Sequence, residues 1–295
     1  MTTISGALAQ PTDPPGDAQP RSYRHPSSIP ITRSLGLPFL ASIALAAGTA
    51  IVSVVGIVQG SELYPSDPPL ILVSPGGDAA NLIIVLPALI GTTWFARRGS
   101  LVGLLLWPGA IFYALYIYAV YLVGAPTGMM LFAYVALVVL SATSLILTLA
   151  SIDTDKVRNQ LASAPVRLVG AALVIIGVAA YAGLTATALS EFTGATTQSG
   201  FRPQWVIDCA LGTPPLLIAG LLAWLRGPVG YTTVGGLLFV SGLGGLAFAA
   251  AALLQGVLFG TSIEETVVAV HLIIGAISFG LLVWFLARGR GRRSG

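Results

Sequence analysis

The sequence predicts an all-α integral membrane protein with eight transmembrane helices and both termini cytoplasmic, and three observations carry that reading. First, 55% of the 295 residues are apolar and only 8% are charged, with a mean hydropathy of +0.89. A soluble domain carries about 25% charged residues because its surface faces water. So little charge excludes an ordinary soluble protein, a nucleic-acid binder and a disordered chain. Second, eight continuous apolar runs are each long enough to cross a hydrocarbon core of about 30 Å. Third, thirteen of the fourteen basic residues fall in alternate connections on one side, with Arg202 the exception. The positive-inside rule makes that side cytoplasmic.

Residues 1–33 are rich in Pro, Ser and Thr without apolar periodicity, which predicts a disordered cytoplasmic tail and not a cleavable signal peptide. The runs 35–59, 79–96, 101–123 and 128–150 follow, and they fill a first membrane unit spanning 34–150. Residues 151–166 read as a polar cytoplasmic linker. A second unit, 167–287, holds the runs 167–189, 204–225, 231–257 and 266–287, and a basic tail occupies 288–295. Continuous apolarity excludes a β-barrel, and an unpaired backbone is too costly in lipid for anything but helices. Trp94, Trp224 and Trp284 mark inner ends of spans and Trp205 an outer end. Glycines crowd the seventh span at Gly242, Gly244 and Gly245, which predicts close helix packing.

The two units match at an offset of 128–129: Gly48 with Gly177, Ser61-Glu62 with Ser190-Glu191, Pro87 with Pro215, Arg98-Gly99 with Arg226-Gly227. Each unit starts inside, so the expected arrangement is two parallel four-helix repeats about an axis along the membrane normal.

Candidate chemistry lies on the outer side, where Glu62, Asp67, Asp78, Glu191, Asp208, Glu264 and Glu265 gather. Part of this is the complement of the cytoplasmic arginines. Asp78 opens the second span after Gly76-Gly77, where capping at a helix N-terminus accounts for much of it. Asp208 lies inside the apolar stretch WVIDCALG and needs a partner or water. Pro87 in span two and Thr213-Pro214-Pro215 in span six predict kinks at corresponding depths, the pattern expected around a midplane substrate or ion site. The expectation is therefore one shared polar site joining Asp78, Asp208 and the two kinks. His271 lies seven residues after Glu264 on one helical face, a geometry for a proton relay, for two metal ligands, or for a simple interhelical hydrogen bond. Tyr118 and Tyr121 read either as outer interfacial aromatics or as the lining of an outer pocket. The loop stretch LILV at 70–73 reads as a lid dipping over the outer ends. No H-E-x-x-H or zinc spacing occurs, and the single cysteine, Cys209, excludes an intramolecular disulfide. Neither metal nor cofactor is expected.

The stretches GGDAANLIIVLPALIGTTWFARRGSLVGLLLWPGAIFYALYIYAVYLVG at 76–124 and WVIDCALGTPPLLIAGLLAWLRGPVGY at 205–231 resemble a group of polytopic bacterial integral membrane proteins, of the actinobacterial type, with no assigned activity. The resemblance implies a bacterial plasma-membrane protein and assigns no role to any residue. Three functional readings follow from the residues themselves. The first is a transporter or permease for a small solute or cation, embedded in the lipid bilayer with a site open to the outer face. The second is an outer-leaflet membrane enzyme using Asp208, His271 and Glu264 as acid–base or metal groups. The third is a non-catalytic sensor or assembly subunit with an acidic rim.

Overall fold

A computed structural model describes residues 29–64, 70–124, 128–194, 202–263 and 265–290. Among these residues the fold is helical, and the one extended pairing is a single antiparallel bridge between Ile31 and Ile152. The elements are α1 (Gly36–Gln59), α2 (Pro75–Arg97), α3 (Leu101–Gly124), α4 (Met129–Ala150), α5 (Thr154–Gln160), α6 (Val166–Phe192), α7 (Gln204–Trp224), α8 (Pro228–Phe259) and α9 (Glu265–Arg290). All except the short α5 are long and apolar enough to cross a membrane.

The surface is strongly apolar, and a set of small polar side chains is buried within the apolar core. Val58 and Phe132 are 78% and 75% exposed, whereas Ser42, Thr49, Ser53, Asp78, Ser141, Ser144 and Thr148 are buried. A soluble protein of this pattern would present a continuous apolar patch to water. In lipid the arrangement is favourable, because small and hydroxylic side chains let helices approach and bond to each other. On α1, Ser42 shows this: it meets the Ser144 hydroxyl at 3.3 Å and accepts from the Trp107 indole at 3.0 Å.

α3 and α8 form the centre, packed on each other and on the helices of their own halves. They meet closely at Gly109 and Gly236: a Cβ on Gly109 would run into the Gly236 backbone, and one on Gly236 would press on the backbone of Leu105 and Gly109. α1 packs along α4 and closes the first half, while α6 and α9 meet only slightly and leave the second half more open. The glycine-rich α8 packs on α9 as expected: a Cβ on Gly245 would strike the backbone of His271 and Gly275, and one on Gly242 would strike the Phe279 ring.

The prolines do not break their helices. In α2 a π-helical turn over Asn81–Val85 precedes Leu86-Pro87, and in α7 one over Asp208–Gly212 precedes Thr213-Pro214. The wider turn lets the chain absorb a residue that lacks an N–H and clashes with the preceding turn. In α7 the Thr213 amide bonds to the Asp208 carbonyl, so continuing the same pattern would give the Cys209 carbonyl to Pro214, which has no N–H. The Tyr181 phenol of α6 donates to that carbonyl instead, at 2.9 Å. Tyr181→Phe is therefore expected to lower stability by about 1–2 kcal/mol, the typical effect of orphaning a buried acceptor. Thermal unfolding in detergent reads it, and an unchanged midpoint would show that water serves the carbonyl equally well.

The two π turns begin 127 positions apart, and the same spacing recurs downstream. The turn after α2 bonds Gly99 N to Ala96 O and Ser100 N to Phe95 O; that after α7 bonds Arg226 N to Ala223 O and Gly227 N to Leu222 O. Both are Schellman ends, whose first residue past the cap adopts a left-handed conformation. That residue is Gly99 at φ 86° in one and Arg226 at φ 58° in the other. A Cβ on Gly103 would hit Phe95 and Ala96, and one on Gly230 would hit Leu222 and Ala223, again the same contact 127 positions on. These local features recur at a spacing of 127, not the 128–129 read from sequence, which sets Pro87 against Pro214, Gly99 against Arg226 and Asp208 against Asn81. A left-handed conformation costs a non-glycine residue about 1 kcal/mol, so Arg226→Gly is expected to raise stability by about that amount. A lower midpoint would mean that the Arg226 side chain contributes more than its backbone strain removes.

Residues 29–33, assigned from sequence to the tail, pair with the linker: Thr32 N bonds to Ser151 O and Asp153 N to Pro30 O, both at 2.9 Å. Residues 1–28 lie outside the described set. The linker is structured as well. Asp153 caps α5 by accepting from the Lys156 amide at 3.1 Å and pairing with its ammonium at 2.8 Å, which holds its carboxyl below the usual aspartate range. Val157, Leu161 and Ala164 are buried, because an amphipathic turn can bury one face while its charges stay wet. The Ser163 hydroxyl bonds to the Arg288 carbonyl at 3.1 Å, and α9 continues to Arg290, so the basic tail begins as helix. Residues 29–33, the turn after α2, the linker and the end of α9 thus meet at one end of the bundle.

Candidate functional site

Asp78 and Asp208 occupy two clusters, not one. Their partners on α3 are Tyr121 and Tyr116, five residues apart, which places them about 140° apart around the helix. The expected single midplane site is replaced by a closed cluster in the first half and an open cavity in the second.

Asp78 is fully buried in the first turn of α2. Ser74 caps that helix, accepting from the Gly77 amide at 3.1 Å, and Pro75 follows at the first helical position, where a missing N–H costs nothing. The Gly76 amide bonds to the Gln255 side chain of α8 at 2.8 Å. These contacts leave the Asp78 carboxylate to point at α1, α3 and α4. Tyr64 donates to one of its oxygens at 2.7 Å and Tyr121 to the other at 3.1 Å. Burial first, and the neighbouring Asp78 second, push the Tyr64 phenol well above the ordinary tyrosine range, so it keeps its proton to donate. Gly56 makes room: a Cβ there would overlap the Asp78 carboxylate. Tyr118 and Tyr121 are buried as well, the first stacked on Tyr134 and the second tilted against it, so neither serves as an interfacial aromatic. The LILV lid packs inward, with Leu70, Leu72 and Val73 buried.

Asp208 opens the π turn of α7 and accepts from the Tyr116 phenol at 2.6 Å. Gly212 lies beneath this pair, where a Cβ would sit 3.2 Å from the carboxylate and 3.5 Å from the Tyr116 ring. The Trp205 indole bonds to the Leu184 carbonyl at 2.9 Å, tying the start of α7 to α6. Asp208, Tyr116, Gln204, Trp205 and His271 all line a cavity of about 400 Å³ between α3, α6, α7, α8 and α9. His271 stacks on Phe248, with ring centroids 3.7 Å apart and planes 10° from parallel. The site therefore offers one carboxylate, one imidazole and aromatic walls, a set suited to a ligand with a cationic or hydrogen-bond-donating group.

The remaining predicted residues stand apart. Glu62 is exposed in the short turn Gly60–Glu62, and Glu191 is half-buried near the end of α6. Glu264 lies outside the described residues, and with it the Glu264–His271 pair. Pro87 is exposed on the surface of the bundle. Pro214 follows the π turn, and Pro215 faces a second, apolar cavity of about 310 Å³ between α3, α4, α7 and α8. Among the described residues no group of three or more His, Cys, Asp or Glu side chains is placed to hold a metal ion. The sequence reading missed Tyr64, Tyr116 and Tyr134 as carboxylate and phenol partners. It also missed the stripe Thr49, Ser53 and Gly56, whose i, i+4, i+7 spacing marks one face of α1.

No family model matches this chain, and no curated protein or solved structure matches it.

Proposed function

We propose that this protein is a bacterial plasma-membrane transporter or permease for a small solute or cation, which binds in the Asp208 cavity from the outer face. The observation carrying this reading is a carboxylate, bonded to Tyr116, inside a cavity of about 400 Å³ that is otherwise mostly apolar and aromatic. Its volume falls within the range of small-molecule sites. It lies among the opening turns of α7, away from the bundle end that carries Arg97, Arg98, Arg226 and Arg288. The positive-inside rule puts that arginine-rich end, and both termini with it, in the cytoplasm.

The same reading takes 34–150 and 167–287 as two parallel four-helix repeats. It is supported by the recurrence at 127 positions of the π turn, the Schellman end and the Gly103/Gly230 contact. It is also supported by Gly109 meeting Gly236, its counterpart in that register, as equivalent residues do across a twofold axis.

The test is native mass spectrometry of the purified protein, followed by flux of any co-purified solute in proteoliposomes. Wild type should carry the solute and Asp208→Asn should not; equal occupancy in both would sink the role of Asp208. Because Asp208 and His271 line one cavity, an outer-leaflet enzyme using them as acid and base is the second reading. It predicts that the bound compound leaves chemically altered, whereas a carrier releases it unchanged.

A further inference from the structure

A cavity of about 540 Å³ lies between α1 and α2 and shares no residue with the Asp208 cavity. Its walls are Phe39, Ile43 and Ala46 on α1 and Leu89 and Ile90 on α2, and Trp94, Arg97 and Arg98 line it where α2 ends. Leu89 and Arg97 are eight residues apart, about 12 Å along the helix, so the groove is apolar at depth and charged at one end. The hydroxyls along it are already engaged. Ser42 bonds with Ser144 and Trp107, and Thr93 donates to the Leu89 carbonyl at 2.6 Å. Phe39 stacks on Trp107 with centroids 4.8 Å apart, which makes that wall firm. Ile43 and Ile90 are exposed, so the groove opens sideways on the apolar surface. The two arginines are exposed too, and Arg98 lies over the Trp94 ring at 4.2 Å. Neither has a carboxylate partner among the described residues, where the ion pairs are Lys156–Asp153 and Arg158–Asp155.

From this arrangement we infer that the groove between α1 and α2 binds one anionic phospholipid, its phosphate on Arg97 and Arg98 and an acyl chain against Phe39, Ile43, Ala46, Leu89 and Ile90. The occupant must be apolar over most of its length, because the walls leave it no polar anchor, and anionic at one end, because two guanidiniums wait there unpaired. It must also enter from the side, which a lipid does and a water-borne anion does not. Guanidinium forks match phosphate oxygens, and basic pockets between membrane helices take anionic headgroups. Stacking on Trp94 holds Arg98 while leaving its edge N–H groups free to donate. The second half shows that a basic helix end does not by itself bring a groove. There α6 and α7 close on each other at Gly170 and Gly220, where a Cβ on either would strike the other's carbonyl oxygen. Arg226 ends α7 beside that closed contact. Lipid binding in the groove is independent of the transport reading, since the two cavities have no residue in common.

The experiment titrates the delipidated full-length protein in detergent with dioleoylphosphatidylglycerol or dioleoylphosphatidylcholine and counts bound lipid by native mass spectrometry. Expected is one phosphatidylglycerol per chain, preferred about thirtyfold over phosphatidylcholine, roughly fivefold from each arginine. Arg97→Gln and Arg98→Gln should each lower that preference about fivefold, and the double variant should abolish it. Arg226→Gln, at the same end of the bundle, should leave it unchanged. Ala46→Phe keeps both arginines and fills the apolar part of the groove. It should weaken phosphatidylglycerol binding about tenfold, the equivalent of two methylenes left outside. Inorganic phosphate at millimolar concentration should not displace the lipid. Equal retention of the two lipids would overturn the inference. So would an equal loss in Arg226→Gln, which would mean a general basic surface, or unchanged binding in Ala46→Phe. Displacement by inorganic phosphate would also overturn it, by showing a plain anion site.

Discussion

Asp208→Asn is expected to lower the affinity of the outer cavity for its ligand by at least about thirtyfold, with a corresponding loss of uptake at subsaturating concentrations. The figure follows from roughly 2 kcal/mol or more for losing one member of a desolvated charge contact. The substitution keeps the volume and an acceptor for the Tyr116 phenol, which now meets Asp208 at 2.6 Å, so the fold should survive. Tyr116→Phe should act in the same direction but more weakly, because it leaves the charge and removes only its orientation. Equilibrium binding of the co-purified solute checks both, and equal affinities across wild type and the two variants would contradict the assignment.

The second large effect concerns Gly56. In Gly56→Ala the new methyl would overlap the Asp78 carboxylate and lie 3.0 Å from the Tyr64 phenol. Neither group can retreat readily: Asp78 is fixed by its helix cap and two phenols, and the surrounding residues are buried. Overpacking a filled site costs about 1–3 kcal/mol, and disturbing a buried charge adds to that. A loss of about 3 kcal/mol is expected in thermal or denaturant unfolding. Gly91→Ala is the control on α2, since nothing lies within 4 Å of the added methyl. There helix propensity alone should act, and stability should rise by about 0.5–1 kcal/mol. Combining Gly56→Ala with Asp78→Ala removes the obstacle, so the pair should be clearly non-additive. Additivity would mean that Gly56 and Asp78 do not share the space assigned to them.

Much of the architecture is legible in one sequence because lipid imposes a single requirement. The backbone must satisfy itself, so any apolar run of sufficient length is a spanning helix. The eight runs from 35–59 to 266–287 each find their helix, within a few residues at the ends. What hydropathy does not encode is which face of a helix meets which neighbour. Trp107, Tyr118 and Tyr121 share a face, yet only packing against α1 and α4 turns Tyr118 and Tyr121 from expected interfacial residues into the interior of the Asp78 cluster.

The spacing at which local features recur is not legible from letters for a related reason. Arg98-Gly99 and Arg226-Gly227 look like one motif, but the left-handed position of the turn falls on Gly99 in one and on Arg226 in the other. Identity of letters drew the alignment one residue too far. Backbone hydrogen bonding, which fixes the turn, selects 127. At that spacing the π turn that opens on Asp208 is matched by one that opens on Asn81, not on Asp78. Two aspartates that looked equivalent therefore serve two different environments. A proline signal was likewise overread: the π turns before Pro87 and Pro214 show where each helix adapts, but Pro87 faces outward.

The central claim is that the Asp208 cavity opens to the outer face of the membrane and receives a ligand there. Cys209 is the single cysteine, so a Cys209→Ser background allows one probe at a time. Thr187 lines the cavity from α6, toward the end of the bundle away from the arginines. Thr187→Cys in that background, exposed to a membrane-impermeant methanethiosulfonate on intact cells, measures access directly. Rapid modification from outside is expected, slowed when the co-purified solute is present and not slowed when Asp208→Asn is added. Modification only in inside-out vesicles, or at a rate indifferent to the solute, would contradict it.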